Sequence, residues 1–150
     1  NVHRIRGEIA PEKSAEEYAE LLGAHFKEDL PHFDLILLGL GEDGHTASLF
    51  PETDAVDECE KHAVAVFVPK LSAWRVTLTL PVLNAAREVL FLVSGRSKSE
   101  MIQRIMSMKQ PAKELPATMV NPQSGELHWM LDSEAMVLIN KSGRDVMFPF

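Results

Sequence analysis

The chain has 150 residues, 45% of them hydrophobic, with a formal net charge of −7 and one cysteine, which fits one domain with an apolar core. The acidic balance excludes a polyanion-binding surface, because a duplex or an anionic membrane would be repelled over most of the molecule; no nucleic-acid or membrane partner is expected. Lone Cys59 cannot close an internal disulfide, no Cys/His spacing suits structural zinc, and no apolar stretch approaches the roughly 18 residues of a membrane span, so a cytoplasmic setting is expected.

Pro11 and Glu12, followed by Ala15, Tyr18, Ala19, Leu22 and Phe26, give an apolar stripe at helical spacing with acids in the first turns, predicting a helix from Pro11 to about Asp29. Phe33 to Leu38 is a near-continuous apolar run, the pattern of a parallel strand covered on both faces. Ala63 to Val68 reads as a second strand ended by Pro69, and Val76 to Leu80 as a third ended by Pro81, which fits the first turn of a short helix through Ala85 and Ala86. Val89 to Val93 is another buried-type strand. Ser97-Lys98-Ser99-Glu100 then has the form of a capping box, with Met101, Ile102, Ile105 and Met106 as the inward face of the helix it opens. Pro111, Pro116 and Pro122 break the following stretch into loops; Leu127 to Leu131 is a last strand, and Asp132 or Ser133 starts a short terminal helix. Strands alternating with helices predict a single α/β domain, a three-layer sandwich with a mostly parallel, doubly wound sheet.

The chemistry is expected in the turn that follows the first strand, Gly39-Leu40-Gly41-Glu42-Asp43-Gly44-His45-Thr46-Ala47-Ser48-Leu49-Phe50-Pro51. Glycines at the carboxyl edge of a sheet bring backbone N–H groups to where α/β proteins bind small ligands. Gly39-x-Gly41-x-x-Gly44 satisfies the dinucleotide fingerprint literally. Pro51 would cut short the helix such a site needs, however, and Glu42 and Asp43 would repel a pyrophosphate. The competing structural reading is a tight strand exit with His45 packed locally. Gly44 beside the ring and Asp43 two residues before it favour instead an open, polar site where an imidazole serves as a base.

This turn resembles the signature of the 6-phosphogluconolactonase family. The resemblance extends to Trp74-Arg75-Val76-Thr77-Leu78-Thr79-Leu80-Pro81-Val82-Leu83-Asn84-Ala85-Ala86, to Ser94-Gly95-Arg96-Ser97-Lys98, and to Pro116-Ala117 through Leu127-His128-Trp129-Met130-Leu131-Asp132. It covers roughly Val2 to Met136 and leaves 137–150 as an unassigned tail. It implies a cofactor-free, metal-free hydrolase acting on a small sugar-phosphate lactone, 6-phosphoglucono-1,5-lactone, in the oxidative pentose phosphate pathway. His45 would activate water against the ring ester, Asp43 would orient the imidazole, and Gly41 and Gly44 would belong to the substrate-binding turn. Lys98 and Arg75 would bind the substrate, Lys98 through its phosphate. Independently of the resemblance, Lys98 falls at the start of its helix, where the dipole disfavours a cation unless an anion sits between them; a solvated surface lysine is the bland alternative. Arg96 and Lys70 are weaker candidates for a positive patch, and His3, His25, His32, His62 and His128 read as structural or surface residues.

Three alternatives stand beside this reading. A sugar-phosphate isomerase or deaminase of the same fold, such as glucosamine-6-phosphate deaminase, carries a glutamate where this chain has Phe50, and a phenyl ring moves no proton. A sugar-phosphate-sensing regulator would carry a basic DNA-binding element, which is not found. The family's front segment, with a glycine-rich phosphate loop and an acidic Asp-Glu-Arg stretch, is also not found. The chain therefore reads as the C-terminal two-thirds of a longer lactonase, monomeric in its full-length parent, and as a weakly active or inactive fragment if it is the whole molecule.

Overall fold

The structure is a computed structural model that describes residues 2–27 and 29–140. In chain order its elements are α1 (Pro11–Phe26), β1 (Ile36–Leu38), β2 (Ala63–Val68), β3 (Ala73–Leu78), α2 (Leu80–Asn84), β4 (Glu88–Val93), α3 (Ser99–Ser107), β5 (Glu126–Leu131) and α4 (Val137–Asn140). α1 starts on Pro11, whose fixed φ suits the first helical position and whose missing N–H costs nothing there. It ends three residues before the predicted Asp29, because Lys27 adopts a left-handed conformation (φ 56°) and its N–H closes the helix on the Gly23 carbonyl at 3.0 Å.

The α/β class and the parallel sheet read from the sequence are both present. β1, β4 and β5 form a parallel sheet in the order β1-β4-β5, with Leu37 opposite Leu90 and Phe91 opposite Trp129. β2 and β3 lie outside it and pair with each other as an antiparallel hairpin, Phe67 opposite Trp74. The short link 69–72 dictates this, since parallel neighbours need a crossover of about a dozen residues or more. Pro69 opens a 3-10 turn there, and Ser72 turns the chain back with φ 48°. β3 starts at Ala73, earlier than the predicted Val76, because the hairpin register extends the pairing to the turn.

One face of the parallel sheet carries the core. Val89 and Phe91 are fully buried in one apolar cluster with Ile102 and Ile105 of α3, and Phe91 stacks on Trp129 at 4.0 Å between ring centres. Of the segment 137–150, residues 137–140 form α4, which packs on α3 and buries Ile139, while 141–150 lie outside the described residues. The opposite face presents Leu37, Leu92 and Met130, which are 58%, 45% and 61% exposed among the described residues. Phe91→Ala is therefore expected to cost about 3–5 kcal/mol by loss of burial and cavity formation. Met130→Ser should stay within about 0.5 kcal/mol, both read by urea unfolding of the 150-residue chain.

Candidate functional site

β1 ends at Leu38, and the chain then turns back on itself through the glycines. Gly41 N–H donates to the His45 carbonyl at 2.8 Å, Gly44 N–H to the Gly41 carbonyl at 3.1 Å, and the Thr46 hydroxyl to the Gly39 carbonyl at 2.8 Å. Gly44 has φ +81°, a conformation natural to glycine, and Leu115 packs where a Cβ would stand. Its carbonyl accepts from Ala117 N–H at 3.0 Å, tying the turn to the loop before β5. At Gly41 a Cβ would overlap the imidazole Nδ1 and Cε1 and come within 2.7 Å of Asp43 Oδ1. Gly41 is thus the floor on which the His45 ring lies. Beyond Gly44 the backbone forms turns and a Thr46–Leu49 bridge, not the helix of a dinucleotide site.

Asp43 and His45 face each other directly. His45 Nδ1 lies 2.5 Å from Asp43 Oδ1, and the His45 backbone N–H also approaches that oxygen, at 3.3 Å. An ionised carboxylate only accepts, so Nδ1 carries the donated proton, and in the neutral form of the ring Nε2 keeps a lone pair. The second carboxylate oxygen, Oδ2, accepts from Lys70 Nζ at 2.9 Å. Partial burial pushes the Asp43 carboxyl up, but the hydrogen bonds from His45 and Lys70 outweigh it and hold the group well below the usual carboxylate range. Phe50 stacks on the imidazole with ring centres 3.9 Å apart and planes 23° from parallel. In the sequence, Phe50 bears only on the deaminase alternative and Lys70 is a weak candidate for a positive patch. An aromatic at a turn and a lysine before a hairpin tip carry no local sign of these contacts.

A cleft of about 560 Å³ runs along β1 and past its carboxyl end, and its lining includes Leu37, Gly41, His45, Ala47, Thr77 and Lys98. His45 and Lys98 therefore share one cavity of the size that takes a small metabolite. Ala47, on its rim, is held at φ 49°, a left-handed conformation that costs a residue with a Cβ free energy. The hairpin also reaches this loop at a second point, where Ser48 N–H donates to Thr77 Oγ1 at 3.1 Å. Lys98 stands at the N-cap of α3, one residue before the helix and at the end of a 3-10 turn, and its ammonium lies 3.9 Å from Glu42. The expected capping box is not made: the Ser97 side chain caps nothing, and the Ser99 hydroxyl donates to the Arg96 carbonyl instead. The 3-10 turn moves the helix start past Ser97. Asp132 holds that turn in place, accepting from the Ser94 hydroxyl at 2.7 Å and from Gly95 N–H.

Arg75 does not line this cleft. Its side chain is exposed on β3 and donates to the adjacent Trp74 carbonyl at 3.1 Å, while Val76 and Thr77 beside it face the cavity. Larger cavities of about 660 and 640 Å³ lie between α1 and the hairpin and near Leu80 and Asn84, and neither contains a predicted site residue. His62 bonds the Asp29 carbonyl and His128 pairs with Glu126, both away from the cleft. No group of three or more His, Cys, Asp or Glu residues is placed to hold a metal, and no helix is long and apolar enough to cross a membrane, among the described residues.

Because the folded Asp43 carboxyl titrates below its unfolded value, its contribution to stability is complete above that unfolded value and is lost as pH falls through the folded one. Asp43→Asn should accordingly flatten the decline of melting temperature between about pH 5 and pH 2. Gly41→Ala should displace the imidazole and abolish the downfield Nδ1–H proton resonance expected of the Asp43–His45 bond.

The family model for glucosamine-6-phosphate isomerases/6-phosphogluconolactonase matches residues 1–129. The chain is 45% identical over 137 residues to human 6-phosphogluconolactonase, an alignment covering 90% of this chain and 53% of the human protein. Among solved structures, the devB protein superposes with a TM-score of 0.82 at 39% identity, covering 91% of this chain and 58% of that one. The 6-phosphogluconolactonase from Trypanosoma cruzi superposes with a TM-score of 0.71 at 29% identity, covering 87% and 54%. The chain thus spans about half the length of the curated relatives it matches. By the reach of that family match and the likeness of fold, it belongs to the glucosamine-6-phosphate isomerase/6-phosphogluconolactonase family.

Proposed function

We propose that the chain carries the hydrolytic site for 6-phosphoglucono-1,5-lactone, with His45 as the general base. The observation that carries this reading is that His45, paired through Nδ1 with Asp43, lines a cleft whose lining also includes Lys98. With Nδ1–H committed to Asp43, Nε2 takes a proton from water as the water oxygen adds to the lactone carbonyl. The tetrahedral intermediate then collapses: the bond from the carbonyl carbon to the ring oxygen breaks, the imidazolium returns its proton to that oxygen, and the new carboxylic acid gives its remaining proton to solvent as open-chain 6-phosphogluconate leaves. Asp43 stabilises the imidazolium between these steps. No cofactor or metal enters.

Lys98 at the start of α3 supplies the cationic end of the site. A phosphate between its ammonium and the helix N-terminus would meet both the charge and the positive end of the helix dipole. Support for the substrate comes from the names of the relatives, 6-phosphogluconolactonases at 41–46% identity. Phe50 stacked on His45 favours the lactonase over an isomerase or deaminase, because an apolar ring occupies the place where those chemistries would need a second proton carrier. Arg75, exposed on β3, would serve the substrate only at the cleft mouth. A reducing, cytoplasmic setting fits Cys59, which is free and exposed.

His45→Ala is expected to abolish lactone hydrolysis, measured against the spontaneous opening of the ring, while shifting the melting temperature by only a few degrees; near-normal turnover would remove the base assignment. Lys98→Ala should raise KM for the phosphorylated lactone far more than for the unphosphorylated one. Equal effects on both substrates would take Lys98 out of the phosphate site.

A further inference from the structure

We infer that Lys70, at the tip of the β2–β3 hairpin, is a positioning residue that sets the tautomer and plane of the His45 imidazole by holding the far oxygen of Asp43. Residues 69–71 form the 3-10 turn of the hairpin, so the ammonium is delivered to the glycine turn by an element outside the parallel sheet. Lys70 Nζ is 2.9 Å from Asp43 Oδ2, and His45 Nδ1 is 2.5 Å from Oδ1, so the two oxygens of one carboxylate are held from opposite sides. The torsion about the Cβ–Cγ bond of an aspartate is soft and nearly two-fold. A carboxylate bound at one oxygen can therefore rock, and one bound at both cannot. The consequence passes to the ring. An imidazole free of constraint exchanges its proton between Nδ1 and Nε2, and only the Nδ1–H form leaves Nε2 able to accept a proton from water. Gly41 below the ring and Phe50 across its face leave the hydrogen bond to Asp43 as the contact that fixes its in-plane rotation.

Lys70 is not explained as a stabilising surface pair. Its side chain is 64% exposed, and exposed ion pairs contribute little to folding. Nor is it a cleft residue: Lys98, not Lys70, lies in the lining. What distinguishes it from the other surface lysines is its partner, a part-buried carboxylate already committed to the one imidazole that lines the cleft.

This inference rests on the reading of His45 as the base, and its test is chosen to separate the two. The imidazole tautomer of His45 is read by nitrogen-15 NMR of the 150-residue chain at alkaline pH, where the ring is neutral, in the parent, Lys70→Met and Lys70→Arg. The Nδ1–H form should dominate in the parent, its ratio to the Nε2–H form should fall by about tenfold in Lys70→Met, and Lys70→Arg should restore it. In lactone hydrolysis, Lys70→Met should lower kcat by about 10- to 100-fold with KM little changed, equally for phosphorylated and unphosphorylated lactone. A parent-like tautomer ratio in Lys70→Met, or a loss confined to KM for the phosphorylated lactone, would overturn the proposal. The tautomer measurement needs no turnover, so full activity in His45→Ala would remove the base assignment while leaving the coupling of Lys70 to the ring standing on its own result.

Discussion

The carboxylate of Asp43 is the point on which the candidate site turns, because it ties together two elements, the glycine turn and the hairpin. The glycine turn after β1 supplies the carboxylate and, two residues on, the imidazole; the hairpin supplies the ammonium of Lys70. Burial at the turn works against a charged group there, and the hydrogen bonds on both oxygens more than compensate. The balance explains why the turn is built so tightly. A carboxylate half out of water needs its partners at fixed positions, and the glycine backbone allows the ring, the carboxylate and the main chain to approach more closely than any residue with a Cβ would permit.

The rest of the fold serves to hold that turn still. Below it, the parallel sheet ends β1 at Leu38 and places β4 alongside, so that the 3-10 turn after β4 brings Lys98 to the same cavity as His45. Asp132 at the end of β5 fastens the segment leading to Lys98 by accepting from Ser94 and Gly95. Behind the turn, Leu115 and Ala117 clasp Gly44. On the open side the hairpin makes two contacts, Lys70 to Asp43 and Thr77 to the Ser48 N–H. His45 and Lys98 are thus brought to one cleft by the segments that follow two different strands of one sheet.

The second face of the parallel sheet belongs to the same account. Parallel strands are usually covered on both sides, and their sequences read as continuous apolar runs for that reason. Leu35 to Leu38 has such a run, yet Leu37 is exposed while Ile36 and Leu38 are buried. The chain also spans about half the length of its curated relatives. An apolar strand face open to water lowers the free energy of association with any apolar surface, so the behaviour of this chain in solution depends on what meets Leu37, Leu92 and Met130.

Much of this was legible in the sequence, for local reasons. Apolar periodicity and proline placement mark α1, β1, β2 and β4 to within a few residues, because a buried strand or an amphipathic helix writes its period into its own residues. The glycines around His45 identify the turn, since closely packed backbone and positive φ leave few other choices. Contacts between segments distant in the chain were not legible. That β2 and β3 leave the parallel sheet, that Lys70 reaches Asp43 across 27 residues and that Arg75 stays out of the cleft lining all depend on a hairpin register, and a register is a property of two strands together. The sequence by itself determined the elements and the residue types of the site. Only the tertiary structure decided which charges face the imidazole, because side-chain partners far apart in sequence leave no mark on local backbone preference.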